Sequence, residues 1–155
     1  MSEATTLAAP ATVAAMTGLE QLRAIFDGSA GYRGMPHFIG IEPVSAEEGH
    51  VVFQGMPTKD HYNPLGSVHG GYAATILDTA MGCSVHSMLK PGQGFTTLEL
   101  KIAYHRAVSD KSGPLRAEGR VLSFGRRAAF VEGRLVDKDG KLCASGTTTC
   151  LVFDL

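Results

Sequence analysis

The stretch from Asn63 to His86, NPLGSVHGGYAATILDTAMGCSVH, decides how this chain folds. Its first residues contain the turn dipeptides Asn-Pro and Gly-Ser, and we predict a loop there. From Ala73 onward, apolar residues recur at steps of three and four, which is typical of one face of a helix. A second face consists of small residues and one carboxylate, Asp78. The pattern predicts a helix that is buried on both sides, with a charge that needs a partner or a chemical role.

The spacing of His69 and Asp78 limits what one chain can do. Asp78 lies nine residues after His69, which corresponds to about 13.5 Å along a helix axis and about half a turn of rotation. Two groups so placed cannot reach one reacting atom within a single chain. If both act in one reaction, a second copy of the helix must supply one of them. A two-fold homodimer does so, because an isologous interface brings one residue of each chain to a different residue of the other.

Composition and charge exclude several classes of function. The 155 residues favour one domain, which we assign to residues 16–155, after a disordered, Ala/Thr-rich tail at 1–15. A net charge of −1 gives no general electrostatic reason to bind nucleic acid or an anionic membrane. The three cysteines lack the spacing of a zinc site or a disulfide framework, which favours reduced thiols, a cytoplasmic protein and no metal.

The segments around the helix predict a sheet. Two strands, 38–46 and 50–56, precede the helix, and four more follow it between turn signals, at 95–107, 115–124, 127–137 and 141–153. In the first of these four, alternation places Leu98, Leu100 and Ile102 on one face. Consecutive hairpins give an antiparallel sheet, so we predict an α+β fold. Thr17 and Glu20 form a capping box that predicts a short N-terminal helix.

A family resemblance rests on Asn63, His69-Gly70-Gly71 and Asp78-Thr79-Ala80, followed by Thr97-Leu98-Glu99-Leu100-Lys101-Ile102. These residues resemble the hotdog-fold acyl-CoA thioesterases, in particular the PaaI type, which is related to the 4-hydroxybenzoyl-CoA thioesterases. The resemblance covers residues 38–153. It implies a hotdog fold, in which a curved antiparallel sheet wraps around one long central helix. It also implies hydrolysis of an acyl-CoA with an aromatic group, such as phenylacetyl or hydroxybenzoyl, or a medium-chain group.

The resemblance implies a homodimer at least, commonly a homotetramer, with CoA as part of the substrate and no cofactor. Asp78 would act as general base or nucleophile, and the sequence leaves that choice open. The first amides of a helix have no internal partner and sit at its positive end, so the Gly70 amide is a candidate oxyanion hole. In the family this amide acts opposite the carboxylate of the partner chain. His69 and Asn63 would position the reactants.

Further residues are predicted to contact the substrate, since arginine forks match phosphate oxygens. They are Gly71, Thr79, Lys90, Arg106, Ser123, Arg126 and Arg127. Gly82 departs from the family pattern, because many relatives carry Ser or Thr one turn after the carboxylate. Either Thr79 substitutes for that residue, or the pocket is wider.

Two other functions stay open at this point. The first is an enoyl-CoA hydratase on the same fold, a class whose helix resembles the pattern Asp-x-x-x-x-His. Here Cys83 stands five residues after Asp78, where that pattern has His, and this counts against the hydratase. A non-catalytic acyl-CoA sensor would usually need an effector domain, and the sequence offers no DNA-binding segment.

Overall fold

A long helix lying on one antiparallel sheet forms the centre of the structure, a computed structural model that describes residues 15–155. The predicted disordered tail, 1–15, falls outside the described residues apart from its last one. Among the described residues, no helix is long and apolar enough to cross a membrane.

All six predicted strands form, together with the two predicted helices and one more. The helices are α1 (Gly18–Phe26), α2 (Met35–Phe38) and α3 (Gly70–His86). The strands are β1 (Ile41–Glu47), β2 (His50–Gly55), β3 (Gln93–Tyr104), β4 (Leu115–Phe124), β5 (Ala128–Val136) and β6 (Leu142–Asp154). The first strand begins later than predicted, because Pro36 in the first turn of α2 favours a helix that runs through Phe38.

The strand order corrects one prediction. The sheet runs β1-β2-β4-β5-β6-β3, so β3 pairs with β6 and not with β4, and the four later strands are not consecutive hairpins. β4 has only two edges, and β2 and β5 occupy them. The chain therefore crosses over between β3 and β4. One helix held in this sheet is the hotdog arrangement, as predicted.

A row of glycines lets α3 lie close to the sheet. Gly119, Gly133 and Gly146 stand side by side on β4, β5 and β6. A Cβ added to Gly119 would lie 2.5 Å from the carbonyl oxygen of Ala80 on α3, and one added to Gly133 would lie 2.8 Å from the Met81 side chain. Both approaches are closer than van der Waals contact allows, so the helix packs at this distance only because side chains are absent here.

Two buried serines tie α3 to β2. The Ser84 hydroxyl accepts a hydrogen bond from the Val51 amide at 3.1 Å, and the Ser87 hydroxyl accepts one from the Gly49 amide at 2.8 Å. Each hydroxyl also donates to a carbonyl of its own helix. The serines therefore supply partners for the buried amide of Val51 in β2 and for the amide of Gly49 in the turn before it.

The N-terminal helix α1 forms with the predicted capping box. The Thr17 amide donates to Glu20 Oε2 at 2.7 Å, and the Glu20 amide donates to Thr17 Oγ1 at 3.3 Å. His86, in the last turn of α3, holds α1 through a hydrogen bond of 3.0 Å between its Nε2 and Gln21 Oε1. Burial lowers the pKa of His86 below its ordinary value.

Candidate active site

The loop that leads into α3 is shaped by Asn63. Its Oδ1 accepts hydrogen bonds from the amides of Leu65 at 2.9 Å and Ser67 at 3.3 Å, and its Nδ2 donates to Ser67 Oγ at 3.1 Å. This is an Asx turn, in which the side chain substitutes for a backbone partner. The side chain that was predicted to position reactants thus fixes the loop ahead of the helix.

His69 is the N-cap of α3. Its Nδ1 accepts a hydrogen bond from the Gly71 amide at 2.8 Å, which requires the neutral ring with its proton on Nε2. From the other side, the Tyr104 hydroxyl donates to the Gly70 carbonyl oxygen at 3.0 Å. The peptide unit between Gly70 and Gly71 is therefore held at both of its polar atoms.

The Gly70 amide is the one left free at this end of the helix. Among residues 15–155, no group accepts a hydrogen bond from the Gly70 N–H. It lies at the positive end of α3, where a developing negative charge is stabilised. Substitution is restricted here, because a Cβ on Gly70 would lie 3.2 Å from the Tyr104 ring and a Cβ on Gly71 would lie 3.0 Å from His69 Nδ1.

A cavity of about 320 Å³ adjoins this helix end. Its walls include Gly70, Tyr104 and Arg106. Arg106 is exposed and forms no salt bridge with a described carboxylate, although its charge helps to lower the pKa of Asp137. A carbonyl oxygen at Gly70 would thus have a cationic side chain in the same cavity.

Asp78 lies two turns further along α3 and is held from the sheet. The Thr97 hydroxyl on β3 donates to Asp78 Oδ1 at 3.2 Å. The neighbouring threonines are engaged elsewhere: the Thr79 hydroxyl donates to the Thr75 carbonyl at 2.7 Å. The Thr79 proton is therefore committed to its own helix, and the substitution of Thr79 for a family Ser or Thr stays a prediction.

Thr97 is the residue that sequence reasoning missed. Alternation along β3 places it on the same face as the charged side chains, away from the helix. A β-bulge between Thr97 and Glu99 reverses the phase, so that Thr97 faces α3 and Leu98, 59% exposed, faces outward. The predicted placement of Leu98 on one face with Leu100 and Ile102 is wrong for this reason, and a bulge leaves no signal in the alternation before it.

The residues one turn beyond Asp78, Gly82 and Cys83, bring uncharged groups close to the carboxylate. A Cβ on Gly82 would lie 3.2 Å from the Phe95 ring, so an aromatic side chain covers α3 at Gly82. Burial, and then the negative charge of Asp78, raise the pKa of the Cys83 thiol to about 12. The carboxylate is thus flanked by groups that remain uncharged near neutral pH.

Asp78 and Gly70 do not meet within one chain. They stand eight residues apart on one straight helix, which separates them by about 12 Å along its axis. Both are anchored on the same strand, Asp78 through Thr97 and Gly70 through Tyr104.

The remaining predicted substrate contacts lie at the surface. Arg126 and Arg127 occupy the turn between β4 and β5, with Ser123 just before it, and all three are exposed. Lys90 follows the end of α3, whereas Arg106 lines the cavity at the start of that helix. Within residues 15–155, no carboxylate pairs with any of these cations.

Comparison with known proteins gives consistent matches. The family described as "Thioesterase superfamily" matches residues 65–144. The 1,4-dihydroxy-2-naphthoyl-CoA hydrolase of Listeria monocytogenes is 30% identical over 74% of this chain and 93% of its own. A Streptococcus mutans protein solved bound to acetyl CoA is 26% identical, with a TM-score of 0.68 over 79% of this chain and 94% of its own. The Escherichia coli PaaI protein shares the fold, with a TM-score of 0.74 and 20% identity over 90% of this chain and 95% of its own.

Proposed function

Since the chain belongs to the thioesterase superfamily and is a hydrolase of acyl-CoA thioesters, we propose that it cleaves aromatic or medium-chain acyl-CoAs at a site shared between two chains. Asp78 of one chain and the Gly70 amide of the other form that site. The observation that carries the proposal is the free Gly70 N–H at the start of α3, with a hydrogen-bonded carboxylate two turns away.

In the proposed reaction the thioester carbonyl oxygen accepts a hydrogen bond from the Gly70 N–H. Charge that develops on this oxygen in the transition state is stabilised by that donor and by the helix end, a contribution of about 3 kcal/mol for one donor. His69 and Tyr104 keep the adjacent peptide fixed, so the donor needs little reorganisation.

Asp78 supplies the attack in one of two ways. As a general base it takes a proton from water, whose hydroxide adds to the carbonyl carbon; the intermediate then expels the CoA thiolate. As a nucleophile its oxygen displaces the CoA thiolate to form a mixed anhydride, which water hydrolyses. Repeated turnover in ¹⁸O water labels the Asp78 carboxylate only along the second route, when water attacks the Asp78 carbonyl carbon of the anhydride. Mass spectrometry of the protein detects that label, and its appearance would establish the nucleophilic route.

The free edge of β3 supports the shared site. β3 is 12 residues long, lies at the end of the sheet and carries exposed Leu98 on its outward face. An unpaired edge of this length is a template for pairing with another strand. Antiparallel pairing of two β3 strands centred on Lys101, with Leu98 as the extra residue of the bulge, would set Thr97 of one chain beside Tyr104 of the other, and therefore Asp78 near the second Gly70.

The exposed cations support CoA as the leaving group. Arg106, Arg126 and Arg127 form no salt bridges with the described carboxylates, and guanidinium groups bind phosphate oxygens in pairs. The nucleotide end of CoA carries several phosphates, so either Arg106 or the adjacent pair Arg126 and Arg127 would hold it.

Thiol release from a panel of acyl-CoAs tests this function. The panel contains acetyl-, hexanoyl-, decanoyl-, phenylacetyl- and hydroxybenzoyl-CoA, with wild type beside Asp78→Asn. We expect aromatic or medium-chain substrates to be cleaved fastest and the variant to be about a thousandfold slower with CoA binding intact. Full activity in Asp78→Asn would refute the mechanism, and no release by the wild type from any substrate would refute the function.

A further inference from the structure

A second cavity, of about 340 Å³, lies between α1, the segment that follows it and one side of α3. It is separate from the cavity at Gly70, and no residue lines both. Leu22, Ile25 and Phe26 of α1 form one wall, and Phe53 of β2 forms another. The mechanism proposed above assigns it no task.

The wall of this cavity that α3 forms lies next to Asp78 in the chain, although Asp78 itself does not line the cavity. Thr79 and Cys83, one turn apart on α3, lie there, and Thr79 directly follows Asp78. Cys83 is close enough to Asp78 for the carboxylate charge to raise the pKa of its thiol. A group bound in the cavity would therefore lie against these two side chains, close to Asp78.

The lining suits an uncharged, ring-sized group. Phe26 and Phe53 meet edge to face, with ring centroids 5.4 Å apart, a geometry that a third ring can extend. An apolar cavity of about 150 Å³ is enough to hold a benzene molecule, so this one has room for a ring with its linker. The polar side chains Tyr32, His37 and Glu42 line the same cavity and are exposed to solvent.

We propose that this cavity binds the acyl group of the substrate, and that Ile25 determines which acyl groups fit. The acyl pocket is then built by the chain that supplies Asp78, while the other chain supplies the Gly70 amide. A hydrogen bond between His86 and Gln21 holds α1 to α3. In this proposal α1 determines substrate specificity in addition to packing against α3. The inference rests on the proposed function and adds the location of the acyl group to it.

Two tryptophan variants on α1 test the proposal. Ile25→Trp places an indole in the cavity, whereas Arg23→Trp places the same indole on an exposed position that does not line it. We expect Ile25→Trp to lower kcat/KM for phenylacetyl-CoA by about tenfold or more and to leave acetyl-CoA hydrolysis within about twofold. Arg23→Trp should change neither. An equal loss with both substrates, or no loss with phenylacetyl-CoA, would overturn the proposal.

Ile25→Ala supplies a second measurement if the larger residue prevents folding. It enlarges the cavity, so the preference should move toward bulkier acyl groups such as naphthoyl; an unchanged preference would count against the pocket.

Calorimetric binding of a non-hydrolysable thioether, S-(2-phenylethyl)-CoA, compared with CoA alone, separates failure of the acyl pocket from failure of the proposed function. If the wild type hydrolyses no acyl-CoA, the proposed function fails; if hydrolysis is normal and Ile25 variants bind the thioether like wild type, only the acyl pocket fails.

Discussion

At the scale of single residues, each member of the His69-Gly70-Gly71 run has its own physical reason. His69 caps the helix with a ring nitrogen, and Gly71 leaves room for that ring. Gly70 lies against the Tyr104 ring, where a side chain would be crowded, and keeps a free amide. The helix start at Gly70 was predictable from sequence because its signals are local, whereas the cap formed by His69 was not predicted. The partner that holds the Gly70 carbonyl, Tyr104, is remote in sequence and was not predicted either.

The hydrogen bond from Thr97 to Asp78 makes a testable contribution to the reaction. Thr97→Val removes the donor while it keeps the shape of the side chain, so the carboxylate loses its orientation toward the substrate. We expect kcat to fall by about tenfold, as a hydrogen bond to a charged group is worth roughly 1.5–3 kcal/mol, with KM nearly unchanged. Steady-state kinetics measure both parameters. Thr97→Ser retains the hydroxyl and should keep most of the rate; if Ser and Val behave alike, the hydrogen bond has no catalytic role.

At the scale of elements, the packing of α3 depends on the glycine row. Gly119→Ala would press its methyl group against the backbone oxygen of Ala80, which cannot move without the helix. We expect a loss on the order of 3 kcal/mol in the free energy of unfolding, measured by urea denaturation. Gly133→Ala meets the flexible Met81 side chain instead and should cost about 1 kcal/mol. Equal losses at the two sites would show that helix position is not what the glycines protect.

The docking of α1 on α3 should depend on pH through His86. Burial lowers the pKa of this ring in the folded protein, so below about pH 6.5 the unfolded chain binds the proton more readily than the folded one. Stability is therefore at its full value above about pH 6.5 and falls as the pH decreases toward the folded pKa. Denaturation at neutral and acidic pH measures the change. His86→Gln cannot titrate and should show a shallower dependence; the same slope in both proteins would place the effect at other groups.

The elements that were predicted from sequence share one property, which is that their signals are local. The capping box of α1, the helical period of α3 and the turns around β4 and β5 each lie within a few residues. The place of β3 beside β6 depends on contacts about 50 residues apart, which no turn signal encodes. The bulge at Leu98 was not predictable either, and it turned Thr97 to the face of β3 that contacts Asp78.

At the scale of the whole molecule, the separation of Asp78 from Gly70 was already evident in the sequence spacing. The structure adds the strand that anchors both groups, β3, and shows that it ends the sheet. A site shared between chains therefore depends on β3 pairing, and it can be tested with variants that each damage one half of it.

Two such variants are Asp78→Asn and Gly70→Pro. Proline is favoured at the first position of a helix, and His69 already has the extended backbone that a residue before proline adopts. Gly70→Pro should therefore remove the amide hydrogen and leave α3 in place, with at least a hundredfold loss of kcat, about 3 kcal/mol. Gly70→Ala is the matched control, because it brings a comparable Cβ toward Tyr104 and keeps the N–H.

Mixing the two inactive variants should then restore activity. In a dimer that contains one of each, one site carries both changes and the other carries neither. Random exchange of equal amounts leaves about a quarter of all sites intact, so hydrolysis should rise to about a quarter of the wild-type rate. Different affinity tags on the two variants verify that mixed dimers have formed. If mixed dimers form and the rate stays at the level of the parents, Asp78 and Gly70 do not act on the same substrate, because a site within one chain would be damaged in every subunit.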